Sequence, residues 1–349
     1  MEITKIIYGI DIASESFTVS QGVLYQDFQS NVSFTRTFKN SISGFKSFIK
    51  YTESLQKKFK AGPQTQLWFV METTGVYYEK LAYFLNDSKY NVSVVLANKM
   101  KNFGKTLTTK SKTDKIDSRT ITIYGLEKQL QKWESPSEEM KQLKDLTREV
   151  NDLNKLVTMC KNKLHAKQHS YMPDPSIVKR LKEQIKFFKK NIAQVKKQIE
   201  QIVKGNKRIE DKVKNISILK GVKTYTIISV VSETDEFKLV NNKRQLVSYS
   251  GLDIIQDQSG KTEKKTKISK QGNSDIRKAL YMAALSALKH DKNCKQHYQR
   301  LIKRYNYKNK KRAVVAIMRK ILIIIYTLWK NDKAYDPEYY KNERIALQN

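Results

Sequence analysis

Five side chains spread along the sequence have the types and settings for phosphodiester chemistry: Asp11, Glu72, Asp114, Asp117 and Ser259. Asp11 stands in "KIIYGIDIASESFTVSQG", an apolar run that otherwise reads as a buried strand, where an unpaired charge is costly. Glu72 closes a second apolar run, "QLWFVMET", while Asp114 and Asp117 lie three apart in "KTDKIDSRTITIYGL", on one face of a helix. Four carboxylates brought together repel one another unless a cation compensates them. With no His or Cys nearby, these oxygen donors suit Mg²⁺. Two such ions would bracket a phosphodiester and stabilise charge on its attacking and leaving oxygens. Singly, each residue has a plainer use: a turn for Asp11, a helix cap for Glu72, an N-terminal helix charge for Asp114. Jointly they read as metal ligands.

The elements that must position them follow from the pattern of apolar residues. Residues 5–12 and 16–23 are short β-rich runs, and "NVSFTRTFKN" from Asn31 is a half-buried third strand. An amphipathic helix over 41–58, the strand ending at Glu72, a helix opening near Gly75, a strand from Asn91 and a helix from Lys112 come next. Three strands followed by alternating helix and strand, closed by a helix, is the order of an α/β RNase H-like (RuvC-like) domain, expected over 1–135. There the strands of Asp11 and Glu72 are neighbours and the last helix crosses them, so the four carboxylates converge.

Residues 136–214 change to a Lys/Glu/Gln-rich, helix-favouring composition. Ile185, Phe188, Ile192, Val195, Ile199 and Ile202 step by three and four, and Leu143, Leu146, Val150, Leu153, Leu156 and Cys160 form a similar stripe. "HSYMPDPS" breaks the chain between them, which predicts a helical hairpin, either a coiled coil or core helices of a bundle. A mostly α-helical domain is expected over 215–349. Gly221 opens it, as a capping glycine or as the turn of a phosphate-holding half of a helix-hairpin-helix.

Of the 349 residues 39% are hydrophobic, including 13 Phe and 19 Tyr, enough for real cores. Lys and Arg number 67 against 34 Asp and Glu, a formal charge of +33 spread along the whole chain. That excess points to a polyanionic partner, DNA or RNA, although a lysine-rich proteome would account for part of it. Cys160 and Cys294 have neither metal-site nor disulfide spacing, so a reducing, intracellular setting is expected. The apolar run from Ala313 is interrupted by Arg319 and Lys320 and reads as a core helix; no membrane segment is expected.

In "DQSGKTEKKTKISKQGNSD", Gly260 permits close approach of a phosphate to Ser259, and Lys261, Lys264, Lys265 and Lys267 would draw the backbone in. The plain alternative is a Ser-Gly turn on a solvated basic loop. Ser248, Ser250 and Ser269 are other serines within reach. Lys270, Asn273 and Arg277 are candidates for phosphate contact, or, for Asn273, for a helix N-cap. "KRYNYKNKKR" from Lys303 interleaves tyrosines with cations, as an RNA-contacting segment or a solvated charge run.

"GIDIASESFTV", "METTGVYYEKLAYFL", "KTDKIDSRTI" and "LVSYSGLDIIQDQSGKTEKKTKISKQGNSDIRKALYMAAL" resemble, in order, the motifs of the DEDD transposases of insertion sequences, over nearly the whole chain. The resemblance implies a recombinase that moves its own element, with Asp11, Glu72, Asp114 and Asp117 holding Mg²⁺ and Ser259 attacking the scissile phosphate. It implies a guide (bridge) RNA encoded by the element and paired with target and donor DNA. It also implies a homo-oligomer, dimer or tetramer, in which one subunit's serine meets another's carboxylates, and a prokaryotic cytoplasmic protein at the nucleoid during transposition. The competing expectations are a RuvC-type endonuclease that uses the same carboxylates with water as nucleophile, and an inactive nucleic-acid-binding protein.

Overall fold

The computed structural model describes residues 2–59, 62, 64–73, 75–107, 113–255, 258–259, 262–263, 267–304 and 307–338. The chain divides into two compact units, Met1–Ser135 and Pro136–Asn349.

The first unit is built on a five-stranded sheet. Its strands are β1 (Ile3–Ile12), β2 (Ser16–Tyr25), β3 (Ser30–Lys39), β4 (Gln66–Glu72) and β5 (Val92–Val95), in the spatial order β3-β2-β1-β4-β5. β1, β2 and β3 form an antiparallel meander, and β4 and β5 add in parallel to β1. That mixed order is the RNase H-like arrangement. Helices cover both faces, which is why β1 reads as an unbroken apolar run rather than an alternating one. On one face Tyr8, Ile10, Phe17 and Phe69 pack with Phe45, Phe48 and Leu55 of α1 (Ile42–Phe59) and Leu81 and Leu85 of α2 (Glu79–Asp87). On the other, Ile7, Val70 and Val95 pack with Met100 of α3 (Ala97–Gly104) and Ile121 and Leu126 of α4 (Asp114–Glu127).

The starts of two helices depart from expectation. The helix expected near Gly75 begins at Glu79, because residues 75–78 form a turn in which Gly75 takes φ +56°. The closing helix begins at Asp114 rather than at Lys112, which lies outside the described residues. There Thr113 accepts the N–H of Ile116 as an N-cap, and two acidic residues occupy the first turn, where the helix dipole favours them.

The second unit is helical. α5 (Glu138–Gln168) and α6 (Pro175–Gly205) pack against each other, each opened by a cap: Ser137 accepts from Met140 N, and Asp174 from Ser176 N with Pro175 in the first turn. The predicted three-and-four stripe supplies the buried residues Val195 and Ile199 of α6. Those residues join Met140, Leu143 and Val150 of α5 in one core with α7 (Lys207–Ser217), α8 (Thr224–Glu233), α9 (Lys243–Tyr249), α10 (Ser274–His290), α11 (Lys292–Arg304) and α12 (Lys310–Asn331). The hairpin expected as a region of its own thus shares the core of the C-terminal helices. Gly221 takes φ +97° with a Cβ position 2.4 Å from the Ala287 amide nitrogen, so its turn is pressed onto α10. Among the described residues, no helix is long and apolar enough to cross a membrane.

Between α9 and α10, where the sequence predicts a polar interruption, the chain forms a ribbon of two short antiparallel strand pairs. β6 (Ile254–Ile255) pairs antiparallel with β9 (Lys267–Ile268), and β7 (Gln258–Ser259) with β8 (Thr262–Glu263).

Candidate active site

The first unit brings the four acidic residues to one end of one face. Ile10 and Met71 are partners in the parallel β1–β4 ladder, so Asp11 and Glu72 follow one step further on adjacent strands. By strand alternation Asp11 shares a face with Ile7 and Gly9, and Glu72 with Val70, the face that α4 covers.

α4 runs antiparallel to β1 across that face. Lys5 Nζ donates to the carbonyls of Gly125 (2.5 Å) and Lys128 (3.2 Å), whereas Gly9, further up the strand, lies against Ser118 and Thr122. Two more strand residues, about 7 Å, correspond to between four and five helical residues at about 1.5 Å each. The Asp11 end of β1 is therefore level with the first turn of α4, which carries Asp114 and Asp117.

Small residues make this approach possible. A Cβ on Gly9 would stand 2.3 Å from Thr122 Oγ1, one on Gly22 2.6 Å from Thr122 Cγ2, and one on Gly125 2.6 Å from Ile7 Cγ2. Buried hydroxyls bridge the contact: Ser20 Oγ to Ser118 Oγ at 2.9 Å, and Thr122 Oγ1 to the Ser20 carbonyl at 3.1 Å.

Asp11, Glu72 and Asp117 are half-buried and Asp114 is exposed. Asp11 therefore sits near the end of its strand, half-buried between the buried residues Ile10 and Ile12, which face the other side of the sheet. The donors fit a hard divalent cation in kind, all being carboxylates. Their spacing is open: among the described residues, no three His, Cys, Asp or Glu side chains are grouped closely enough to hold a metal ion.

In the second unit Ser259 is the last residue of β7 and pairs with Thr262 of β8, in the segment between β6 and β9. Its side chain, and the positions of Gly260, Lys261, Lys264 and Lys265, lie outside the described residues. Of the other serines, Ser250 is fully buried and donates to the Val247 carbonyl, Ser269 donates to Asp253 Oδ1, and Ser248 is exposed. Lys267 and Lys270 are exposed, Lys270 with φ +54°.

Asn273 and Arg277 are engaged within the fold. Asn273 Oδ1 caps α10 by accepting from Asp275 N (2.9 Å) and Ile276 N (3.1 Å), and its Nδ2 donates to Glu233 Oε2 at 2.7 Å. Arg277 Nη1 donates to the carbonyls of Ser250, Gly272 and Asn273 at 2.8 to 3.2 Å, closing the loops at the root of the ribbon.

Sequence reasoning passed over Glu233. It ends α8 with its side chain 1% exposed, and Arg148 of α5 grips it at 2.6 and 2.9 Å. This pairing holds Arg148 above its ordinary pKa. A glutamate closing "TIISVVSE", a stretch rich in Ile and Val with no other charge, was the available signal. Directly after it, Asp235, Glu236 and Phe237 all take φ between +45° and +68°, a left-handed turn without glycine, whose Glu236 is held by Arg208 at 2.6 and 2.8 Å.

Comparison with known proteins places both units. Residues 8–173 match the family of IS110-type DEDD transposases, and residues 213–299 match the transposase IS116/IS110/IS902 family. The pilin gene-inverting proteins of Moraxella bovis and Moraxella lacunata are each 24% identical over 344 residues, covering 97% of this chain and 100% of theirs. Among solved structures, T. thermophilus RuvC in complex with a Holliday junction substrate aligns with 37% of this chain and 99% of its own, at 7% identity and a TM-score of 0.27.

Proposed function

This chain belongs to the IS110 family of transposases, and on that premise we propose that it is an RNA-guided recombinase that cuts, exchanges and rejoins DNA strands through a phosphoserine link. The observation that carries the reading is the alignment of Asp11 and Glu72, on adjacent strand ends, with the first turn of α4 that bears Asp114 and Asp117.

In the proposed reaction Ser259 Oγ attacks the scissile phosphorus. The new Ser–O–P bond replaces one bridging P–O bond, the hydroxyl proton leaves, and the departing strand end takes up a proton as it becomes a free hydroxyl. A hydroxyl of the exchanged strand then attacks the same phosphorus, breaks the Ser–O–P bond and returns the proton to the serine. Phosphodiester bonds are conserved in number throughout. Divalent ions such as Mg²⁺, two per site, held by Asp11, Glu72, Asp114 and Asp117, would stabilise charge on the attacking and leaving oxygens. Lys267 and Lys270, both exposed, attract the phosphates.

Guidance by an RNA encoded with the element, pairing with target and donor DNA, is supported by the family resemblance and by the +33 charge. Relatives named for inverting a pilin gene support strand exchange rather than simple cleavage. A homo-oligomer, in which the serine of one copy serves the carboxylates of another, completes the proposal, acting on the nucleoid of a prokaryotic cell.

The test is incubation of the purified protein with RNA from the flanks of its gene, matching DNA and Mg²⁺, followed by a denaturing gel. A protein–DNA adduct lost in both Ser259→Ala and Asp11→Asn is the expected result. Cleavage without an adduct, undiminished in Ser259→Ala, would replace the recombinase with a water-using endonuclease.

A further inference from the structure

The segment that carries Ser259 leaves the helical body at Tyr249 and returns to it at Asn273, and these two feet are joined in a closed ring of hydrogen bonds. The Asn273 N–H donates to the Tyr249 carbonyl at 2.7 Å. The Tyr249 hydroxyl donates to the Glu233 carbonyl at 3.0 Å, and Asn273 Nδ2 donates to Glu233 Oε2 at 2.7 Å. One residue, Glu233, therefore holds one foot through its backbone and the other through its side chain.

The same carboxylate is tied to the long hairpin, since Arg148 of α5 donates to both of its oxygens. Alongside that link, Asn151 of α5 donates to Asp275 Oδ1 in the first turn of α10 at 3.2 Å and accepts from the Tyr225 hydroxyl at 3.1 Å. A buried ion pair contributes little net stability compared with an apolar pair of the same shape, so stability alone is a poor reason for placing this one here. Its geometry, by contrast, determines how the ribbon is rooted.

We infer that Glu233 is a positioning residue for strand cleavage: it fixes the two feet of the segment that carries Ser259 and couples them to α5 through Arg148. The inference rests on Ser259 being the nucleophile.

Asn273→Asp is the discriminating variant, because aspartate keeps the α10 cap while setting a second carboxylate against Glu233. Adduct formation, DNA binding and the thermal midpoint are measured for each protein. Asn273→Asp should form adduct at least about tenfold more slowly, with DNA binding within about twofold of wild type. Arg148→Lys, which keeps the charge but gives up the two-pronged grip, should slow the adduct in the same way and serves if Asn273→Asp does not fold. Wild-type adduct rates in the folded single variants, or adduct losses no larger than the losses in DNA binding, would overturn the inference. Ser259→Ala in the same assay separates the two ideas: an adduct that survives it removes the nucleophile assignment itself.

Discussion

Gly9 of β1 and Thr122 of α4 stand closer than any side chain at position 9 would allow, a Cβ there falling 2.3 Å from Thr122 Oγ1 and 2.4 Å from the Thr122 amide nitrogen. The backbone nitrogen cannot rotate away, so Gly9→Ala must lift α4 off the sheet. We expect a loss of about 1–3 kcal/mol on denaturant unfolding. Adduct formation should also fall at temperatures where the protein remains folded, because the first turn carrying Asp114 and Asp117 moves with the helix.

Replacing any one acidic residue at this end should separate binding from chemistry. Asp11→Asn is expected to slow strand cleavage by a factor on the order of a hundred or more, with DNA binding retained. Parallel gel-shift and cleavage assays check it, and a cleavage rate near wild type would remove Asp11 from the site.

Alkaline pH should loosen the second unit. Burial, aided by Asp291, pushes the Cys294 thiol up from its ordinary 9.0 to about 12, and burial pushes the Tyr225 hydroxyl from 10.0 to about 12. Below pH 9 both the folded and the unfolded chain keep these protons, and stability is unaffected. Between pH 9 and 12 the unfolded chain releases protons that the folded chain retains, so stability falls as pH rises. Unfolding midpoints measured from pH 8 to 11 should decline above about pH 9, and Cys294→Ala should flatten the first part of that decline.

Removing Arg148 leaves a carboxylate that is 1% exposed without its cation. Because Arg148 is itself half exposed, Arg148→Ala is expected to cost about 2–3 kcal/mol, less than for a fully buried pair. Replacing Arg148 and Glu233 together with methionine should recover much of that loss. Urea unfolding of the three proteins measures it.

Binding should be strongly salt-dependent, as the +33 charge implies. Lys267→Ala and Lys270→Ala should each weaken binding with little regard to DNA sequence and reduce the salt slope by about one. Titrations at several salt concentrations would show an unchanged slope if neither lysine meets a phosphate.

The meander and β4, with Asp11 and Glu72 on them, were legible because apolar runs of strand length have few other uses, whereas the α4 start was placed too early because its cap at Thr113 is a single polar residue in a polar run. α3 was missed: in "ANKMKNFG" only Met100 and Phe103 are buried, too short a pattern to separate from a loop. The ribbon strands, two residues each, carry no periodicity at all. The Glu233 ring was illegible for a different reason. Its side-chain partners lie 85 and 40 residues away, and no local pattern encodes a contact of that range.

The acidic residues lie in Met1–Ser135 and Ser259 in Pro136–Asn349, so the two halves of the proposed reaction would be separable by genetics. In the proposed reaction, a copy carrying Asp11→Asn and a copy carrying Ser259→Ala would each be defective in a different unit. Mixed in one assembly, they present an intact acidic end and an intact serine on different polypeptides, and recovery of activity in the mixture would mark a reaction shared between chains.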